Sequence, residues 1–75
     1  MIKLGSAPKN TPFIIDDILN GELKARMYDV GLYPNQTIKV IRKAPFGNPL
    51  VVQLDGQLIM LRTEEADQIT VREVE

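Results

Sequence analysis

The stretch LVVQLDGQLIML, residues 50–61, decides how this chain folds. Two five-residue, apolar-rich runs flank Asp55-Gly56, a dipeptide that suits a two-residue type I′ turn because both central residues there have positive φ. The pattern predicts a β-hairpin whose turn sets the strand register and so decides which side chains share a face. We predict a core face of Leu50, Val52, Ile59 and Leu61 and an outward face of Val51, Gln53, Leu58 and Met60.

Shorter elements are predicted on both sides of the hairpin. Residues 1–10 show no periodicity and are expected to form a loosely held lead-in, and residues 44–49 contain two prolines and a glycine, which favour a loop. The other predicted elements are strands over residues 12–17, 37–43 and 69–72, a helix over 21–30 and a short helical turn over 63–67. In so small a chain, curling such a sheet is the way to bury one face. We therefore predict one mainly β domain over residues 1–75, with one or two short helices, folded as an SH3-like small barrel of about five strands.

The predicted helix carries signals at both ends. Asn20 is a good N-cap, and Gly31 suits the left-handed conformation that ends a helix. Leu23, Met27 and Val30 recur at helical spacing and are predicted to form one buried stripe. Leu32, just past the end, is expected to pack back on Met27. In the second helical turn, we predict Thr63 as the N-cap, with Glu64 and Glu65 as first-turn charges.

Composition excludes several kinds of chemistry. The 75 residues include no histidine, cysteine or tryptophan, and the net charge is −1. Without Cys there is no disulfide, iron–sulfur cluster or thiolate nucleophile, and without His the commonest general base and transition-metal ligand are missing. Asp16 and Asp17 are adjacent on a predicted strand, so they point to opposite faces and do not form a catalytic pair. We predict a binding module that is not an enzyme and has no cofactor and no metal site; weak binding of a hard cation by carboxylates stays open.

The surface of the helix and the turn after it is the best candidate for partner contact. Arg and Tyr are favoured residue types at interfaces, and the chain's only two tyrosines lie here. An alternative is that one tyrosine covers an end of the barrel and the other is incidental. Phe46, between two prolines, is a second candidate that either anchors a partner or caps a barrel mouth. The predicted partner-binding residues are Arg26, Tyr28, Leu32, Tyr33 and Phe46.

Two other surface features allow alternatives. Residues 37–62 hold four basic side chains against one acid, Asp55; the four are either ordinary solubility charges or a basic surface for an acidic partner, and they are Lys39, Arg42, Lys43 and Arg62. A small nucleic-acid-binding barrel needs more positive charge and more aromatic residues than this chain has, so we expect no nucleic acid. The apolar residues of the outward hairpin face suggest a contact patch and weak self-association. No apolar run approaches the ~20 residues that span a bilayer, so we expect a soluble, cytoplasmic chain without direct membrane insertion.

Residues 23–71 resemble the FeoA family, the small proteins of bacterial ferrous iron uptake. The family pattern has Arg-Leu and Leu-Gly-Leu in a helix, a Pro-Gly turn, an Ala-Pro-x-Gly-Asp-Pro loop, a hairpin, Leu-Arg-x-x-Glu-Ala and Ile-x-Val. The matching segments are Arg26-Met27, Val30-Gly31-Leu32, Pro34-Asn35, residues 44–49, residues 61–66 and Ile69-Thr70-Val71. Two positions depart from the pattern: Asn35 replaces a glycine but tolerates the same left-handed turn, and Asn48 replaces an aspartate.

The resemblance implies a partner rather than a reaction. FeoA proteins are thought to bind the cytoplasmic, GTPase-containing part of FeoB, a membrane transporter of ferrous iron, and to support its assembly or activity. The missing His and Cys agree with a chain that assists iron transport without holding iron. The alternative is the C-terminal SH3-like module of an iron-dependent, DtxR-type transcription regulator. The absence of an upstream helix-turn-helix and the initiating Met1 favour a free-standing accessory protein.

Overall fold

Six antiparallel strands form one sheet in the computed structural model, which describes residues 1–74. The strands are β1 (Ile2–Lys3), β2 (Pro12–Ile18), β3 (Thr37–Lys43), β4 (Leu50–Leu54), β5 (Gln57–Leu61) and β6 (Ile69–Glu73), and the helices are α1 (Gly21–Asp29) and α2 (Thr63–Ala66). The order in the sheet is β1-β6-β2-β3-β4-β5. The predicted mainly β, SH3-like class is confirmed, with six strands instead of about five. Within residues 1–74 the sheet is not closed, so β1 and β5 are its two edges.

The predicted hairpin is confirmed in turn and register. Asp55 and Gly56 have φ of 50° and 78°, as a type I′ turn requires. Leu54 lies opposite Gln57, and the pairing continues without a shift to the far end of the hairpin. Of the predicted core face, Leu50, Val52 and Leu61 are buried and Ile59 is half-buried. Leu54 joins this face because it follows Val52 by two residues along the strand.

Irregular register in two strands shapes the core. β2 is shifted against β6 between Ile15 and Asp17, so Ile15 and Ile18 are both buried although they are three residues apart. β3 has a similar shift against β4 after Val40. Six side chains of β2, β3 and β6 that are two residues apart within each strand are buried in the core: Phe13, Ile15, Ile38, Val40, Ile69 and Val71. Such bulges bend a strand, which lets an open sheet wrap around one core.

The N-terminal segment corrects the expectation of a loose lead-in. β1 pairs with β6, and a single 3-10 turn follows it at Leu4–Ser6. Leu4 and Ala7 are each 1% exposed and belong to the core. The sequence shows no periodicity here because a two-residue strand and a short turn are too brief to display one. This segment supplies the sixth strand.

Helix α1 confirms its predicted caps but not all of its predicted stripe. The Asn20 side chain accepts a hydrogen bond from the Leu23 backbone N–H at 3.1 Å, and Gly31 has a φ of 91°. Val30, predicted to be buried, is 48% exposed because the helix ends at Asp29 and Val30 has already left helical geometry. Leu32 takes the core place instead: Gly31 turns the chain back, and the Leu32 N–H donates to the Met27 carbonyl at 2.8 Å.

Candidate functional site

Leu32 does not belong to the surface on which it was predicted. The side chain is 0% exposed and is part of the core cluster. A partner cannot reach it without unfolding the end of α1, so the predicted contact role is wrong at this position. Its structural role, packing after Gly31, follows from the C-terminal cap geometry, in which an apolar residue beyond the glycine packs back on the helix.

Arg26 and the tyrosines form two separate features. The two tyrosine rings make an edge-to-face pair, with centroids 5.7 Å apart and planes at 64°. Tyr28 and Tyr33 remain 48% and 45% exposed, so the pair offers an accessible aromatic surface. Arg26 lies two residues before Tyr28 on the helix, a spacing at which side chains do not face each other. The predicted patch is therefore an aromatic pair beside a separate arginine.

Arg26 bridges the two helices. Its Nη2 donates to Glu65 Oε2 of α2 at 2.6 Å, and the Arg26 side chain stays 66% exposed while that of Glu65 is 16% exposed. Glu65 Oε1 also accepts the Arg62 backbone N–H at 2.9 Å. This backbone bond lowers the pKa of the Glu65 carboxyl most; partial burial opposes it, and the hydrogen bond and charge of Arg26 add to the lowering. The Glu65 carboxylate is thus held ionised and aimed at α1.

The two helices enclose a shallow groove of about 360 Å³. Its lining includes the carboxylates of Glu22, Glu64 and Glu65 and one guanidinium, that of Arg26. The groove therefore carries an excess of negative charge beside the arginine. From the sequence, Glu64 and Glu65 are predicted only as helix charges, because nothing local indicates that α1 folds against them.

Helix α2 is capped from a distant loop. The structure places Arg62, not Thr63, at the N-cap position, so the predicted cap is wrong by one residue. Asn48 Oδ1 accepts hydrogen bonds from the Thr63 backbone N–H at 2.7 Å and from Thr63 Oγ1 at 2.9 Å. The cap is supplied by a side chain 15 residues earlier, which local propensity could not show.

Phe46 is the most exposed apolar side chain of its loop. The ring is fully solvent-exposed at 103%, and the backbone has a φ of 64°. Of the two predicted roles, the structure therefore excludes capping a barrel mouth. A fully exposed aromatic ring between Pro45 and Pro49 has the character of an anchor for a partner groove.

Three of the remaining charged candidates, Asp16, Asp17 and Lys43, have structural partners. Asp16 accepts from Arg72 at 3.3 Å and Asp17 pairs with Lys24 at 3.5 Å, so the two adjacent carboxylates serve different contacts. Lys43 Nζ donates to the Gly5 carbonyl at 3.2 Å and ties β3 to the N-terminal turn. Among residues 1–74, no group of three or more carboxylates is arranged to hold a metal ion.

A family model for the FeoA domain matches residues 2–73. The chain belongs to the FeoA family. Among solved structures, it resembles iron(II) transport protein A from Clostridium thermocellum, with 32% identity and a TM-score of 0.89 over 97% of this chain. It spans 46% of the length of that protein. A FeoA protein from Chlorobium tepidum is 29% identical with a TM-score of 0.89, over 99% of this chain and 71% of its own.

The same fold occurs outside iron transport. A manganese-dependent transcriptional repressor matches with a TM-score of 0.86 over 96% of this chain and 41% of its own, at 15% identity. At that identity the likeness concerns the SH3-like fold alone. A comparison with curated proteins gives no match. No helix within residues 1–74 is long and apolar enough to cross a membrane.

Proposed function

We propose that this chain is an accessory protein of ferrous iron uptake that acts in the cytoplasm, by contact with the GTPase-containing part of a FeoB-type transporter. The observation that carries the proposal is the FeoA family match over residues 2–73. The protein similar to it from Clostridium thermocellum is an iron(II) transport protein. The chain acts as a binding partner rather than an enzyme, and GTP chemistry belongs to the transporter.

The part of the molecule that fits such a contact best is the surface formed by Arg26, Tyr28 and Tyr33, which we call the α1 surface. Its two tyrosines are in edge-to-face contact and half-exposed, and tyrosine buries a large aromatic area at small entropic cost because its side chain has few rotatable bonds. The groove between α1 and α2 is a separate feature that is mainly acidic and is lined in part by Arg26. A partner surface with basic side chains and an apolar pocket would complement both features. Phe46 is a second anchor on a separate loop.

The first prediction concerns this surface. Replacing Arg26 and Tyr33 together with Ala should weaken binding to the isolated cytoplasmic part of FeoB by about tenfold or more, because both are anchor types at interfaces. Both side chains are largely exposed, so the core stays intact. Loss of the exposed ion pair with Glu65 should lower the free energy of unfolding by only about 0–1 kcal/mol. Titration calorimetry measures the affinity, and urea unfolding checks the fold.

Arg42→Ala is the matched control, since Arg42 is an exposed cation on β3, away from α1. Its affinity should equal that of the unchanged chain. If the double variant binds with the same affinity as the unchanged chain, the α1 surface is not the interface. A lower affinity of the Phe46→Ala variant would then indicate that the loop makes the contact. No binding by the unchanged chain would contradict the proposed function itself.

A further inference from the structure

The edge strand β5 is built differently from the opposite edge of the sheet. β1 has only two residues and includes Lys3, and a short, charged edge resists pairing with other chains. β5 has five residues, none of them charged or proline, and pairs with β4 without a register shift. None of the usual devices that protect an edge strand is present along β5.

The hairpin turn determines which backbone groups of β5 are free. In a two-residue hairpin the pair that flanks the turn, here Leu54 and Gln57, is hydrogen-bonded, and the bonding alternates from there. Gln57, Ile59 and Leu61 therefore direct their N–H and C=O groups toward β4. Leu58 and Met60 direct theirs away from it, and no described strand lies on that side.

The same two residues carry exposed apolar side chains. Leu58 is 65% exposed and Met60 is 70% exposed. Met60 lies opposite the half-buried Val51 on β4, so the apolar surface continues across the hairpin. At Leu58 and Met60, an N–H and a C=O group that point away from β4 thus occur together with an exposed apolar side chain.

We propose that β5 is a self-association surface at which a second copy of this chain adds its own β5 in antiparallel orientation. A two-fold axis at Ile59 places Leu58 of one copy opposite Met60 of the second copy. These are the residues whose N–H and C=O groups point outward, so each of the two pairs exchanges two hydrogen bonds. Their apolar side chains then meet across the junction, which joins two sheets into one.

Charge at the two ends of β5 favours a second copy over an unrelated strand. In this register Arg62 of one copy lies opposite Gly56 of the second copy, next to its Asp55. Arg62 and Asp55 are both exposed, and symmetry repeats the contact at the other end. No charge lies within β5, so no like charges meet across the axis.

Sedimentation across a concentration series tests the proposal. The unchanged chain should move from monomer to dimer as concentration rises, and Met60→Lys should raise the midpoint by about tenfold or more, because it brings an unpaired charge into the junction. Leu19→Lys is the control, because it also replaces an exposed apolar side chain by lysine: Leu19 is 59% exposed and lies after β2. Arg62→Glu should also weaken the dimer, because it brings Glu beside Asp55 of the second copy.

Amide hydrogen exchange locates the contact independently of any variant. The Leu58 and Met60 amides should exchange rapidly at low concentration and become protected at high concentration. A chain that stays monomeric up to about 1 mM overturns the proposal. A dimer in which these two amides stay unprotected, or one that Leu19→Lys weakens as much as Met60→Lys does, overturns it as well. None of these readouts involves the transporter, so the result is independent of the proposed function.

Discussion

Phe46 combines two properties that each lower the stability of a folded chain. Its aromatic ring is fully exposed, and its backbone has a φ of 64°. A left-handed backbone costs a residue with a Cβ about 1–2 kcal/mol, and bulky residues rarely adopt it. The other positions of positive φ among the described residues carry glycine, asparagine or aspartate, which tolerate it: Asn10, Gly31, Asn35, Asp55 and Gly56. At Phe46 the residue type therefore suits neither its backbone conformation nor its exposure to solvent. Such local conflicts between sequence and structure are expected at functional sites.

Phe46→Gly should therefore raise the free energy of unfolding. Glycine adopts positive φ without strain, and after its larger unfolded-state entropy is subtracted we expect a gain of about 0.5–1 kcal/mol. Phe46→Ala removes the ring but keeps the strain, so its stability should stay within about 0.5 kcal/mol of the unchanged chain. Urea denaturation of the three chains measures both. Equal free energies of unfolding for the Gly and Ala variants would contradict the claim that the positive φ at position 46 destabilises the fold.

Among the elements, α2 depends most on its surroundings. A helix of four residues does not form alone, because nucleation is costly. Its N-terminus is held by Asn48 from the loop before β4 and by the side chain of Glu65, while Ala66 is buried. Helix α2 is therefore stabilised by contacts with the loop before β4 and with α1. Its carboxylates help to line the groove between the two helices.

Asn48→Ala should destabilise the protein by about 1 kcal/mol, the usual effect of removing a helix cap. Asn48→Asp is the matched comparison, since a carboxylate keeps the acceptor oxygen and its charge suits a helix N-terminus. We expect the Asn48→Asp variant to be at least as stable as the unchanged chain. Thermal unfolding of the unchanged chain and the two variants measures their order of stability. A loss of stability in the Asp variant as large as that in Ala would show that the cap bonds do not stabilise the fold.

Across the whole molecule, polar side chains tie distant segments together at the surface. Arg26–Glu65 joins α1 to α2, Arg72–Asp16 joins β6 to β2, and Lys43 reaches the N-terminal turn. Each is an exposed or half-exposed contact and contributes modestly. Glu65 stands apart because two donors converge on a side chain that is 16% exposed, and these donors lower its pKa.

The pKa of Glu65 makes stability depend on pH. Because its pKa is lower in the folded than in the unfolded chain, the carboxylate stabilises the fold above the unfolded pKa, and this contribution is lost as pH falls through the folded pKa. Glu65→Gln keeps an acceptor for the Arg62 N–H but removes the charge. The unchanged chain should be more stable than Glu65→Gln at pH 7, and the difference should disappear in acid. Urea unfolding from pH 7 to about 3 measures this.

Glu64→Gln provides the comparison, because Glu64 is exposed and lies next to Glu65 on the same helix. It removes one carboxylate from the same helix but leaves the contacts of Glu65 with Arg26 and with the Arg62 N–H in place, so at pH 7 it should lower the free energy of unfolding less than Glu65→Gln does. A Glu65→Gln variant that parallels the unchanged chain at every pH would mean that the carboxylate of Glu65 is no better stabilised in the folded chain than in the unfolded one.

What the sequence determined by itself is local. The Asp55-Gly56 turn and the Asn20 and Gly31 caps act over a few residues, and all appear as expected. The resemblance to the FeoA family rested on such segments in order, and the family match confirms it.

Only the tertiary structure decided features that join distant residues. Leu4 looked like part of a loose lead-in and is buried because β1 finds β6 some 70 residues later. Leu32 has two predicted roles, packing on Met27 and contacting a partner, and its complete burial leaves only the first. Val30 is predicted to be buried and is exposed, because the helix ends one residue earlier. Arg26 meets Glu65 across 39 residues, and Asn48 caps α2 across 15. Local sequence carries no signal for such pairs, because they exist only once the hydrophobic core has brought the segments together.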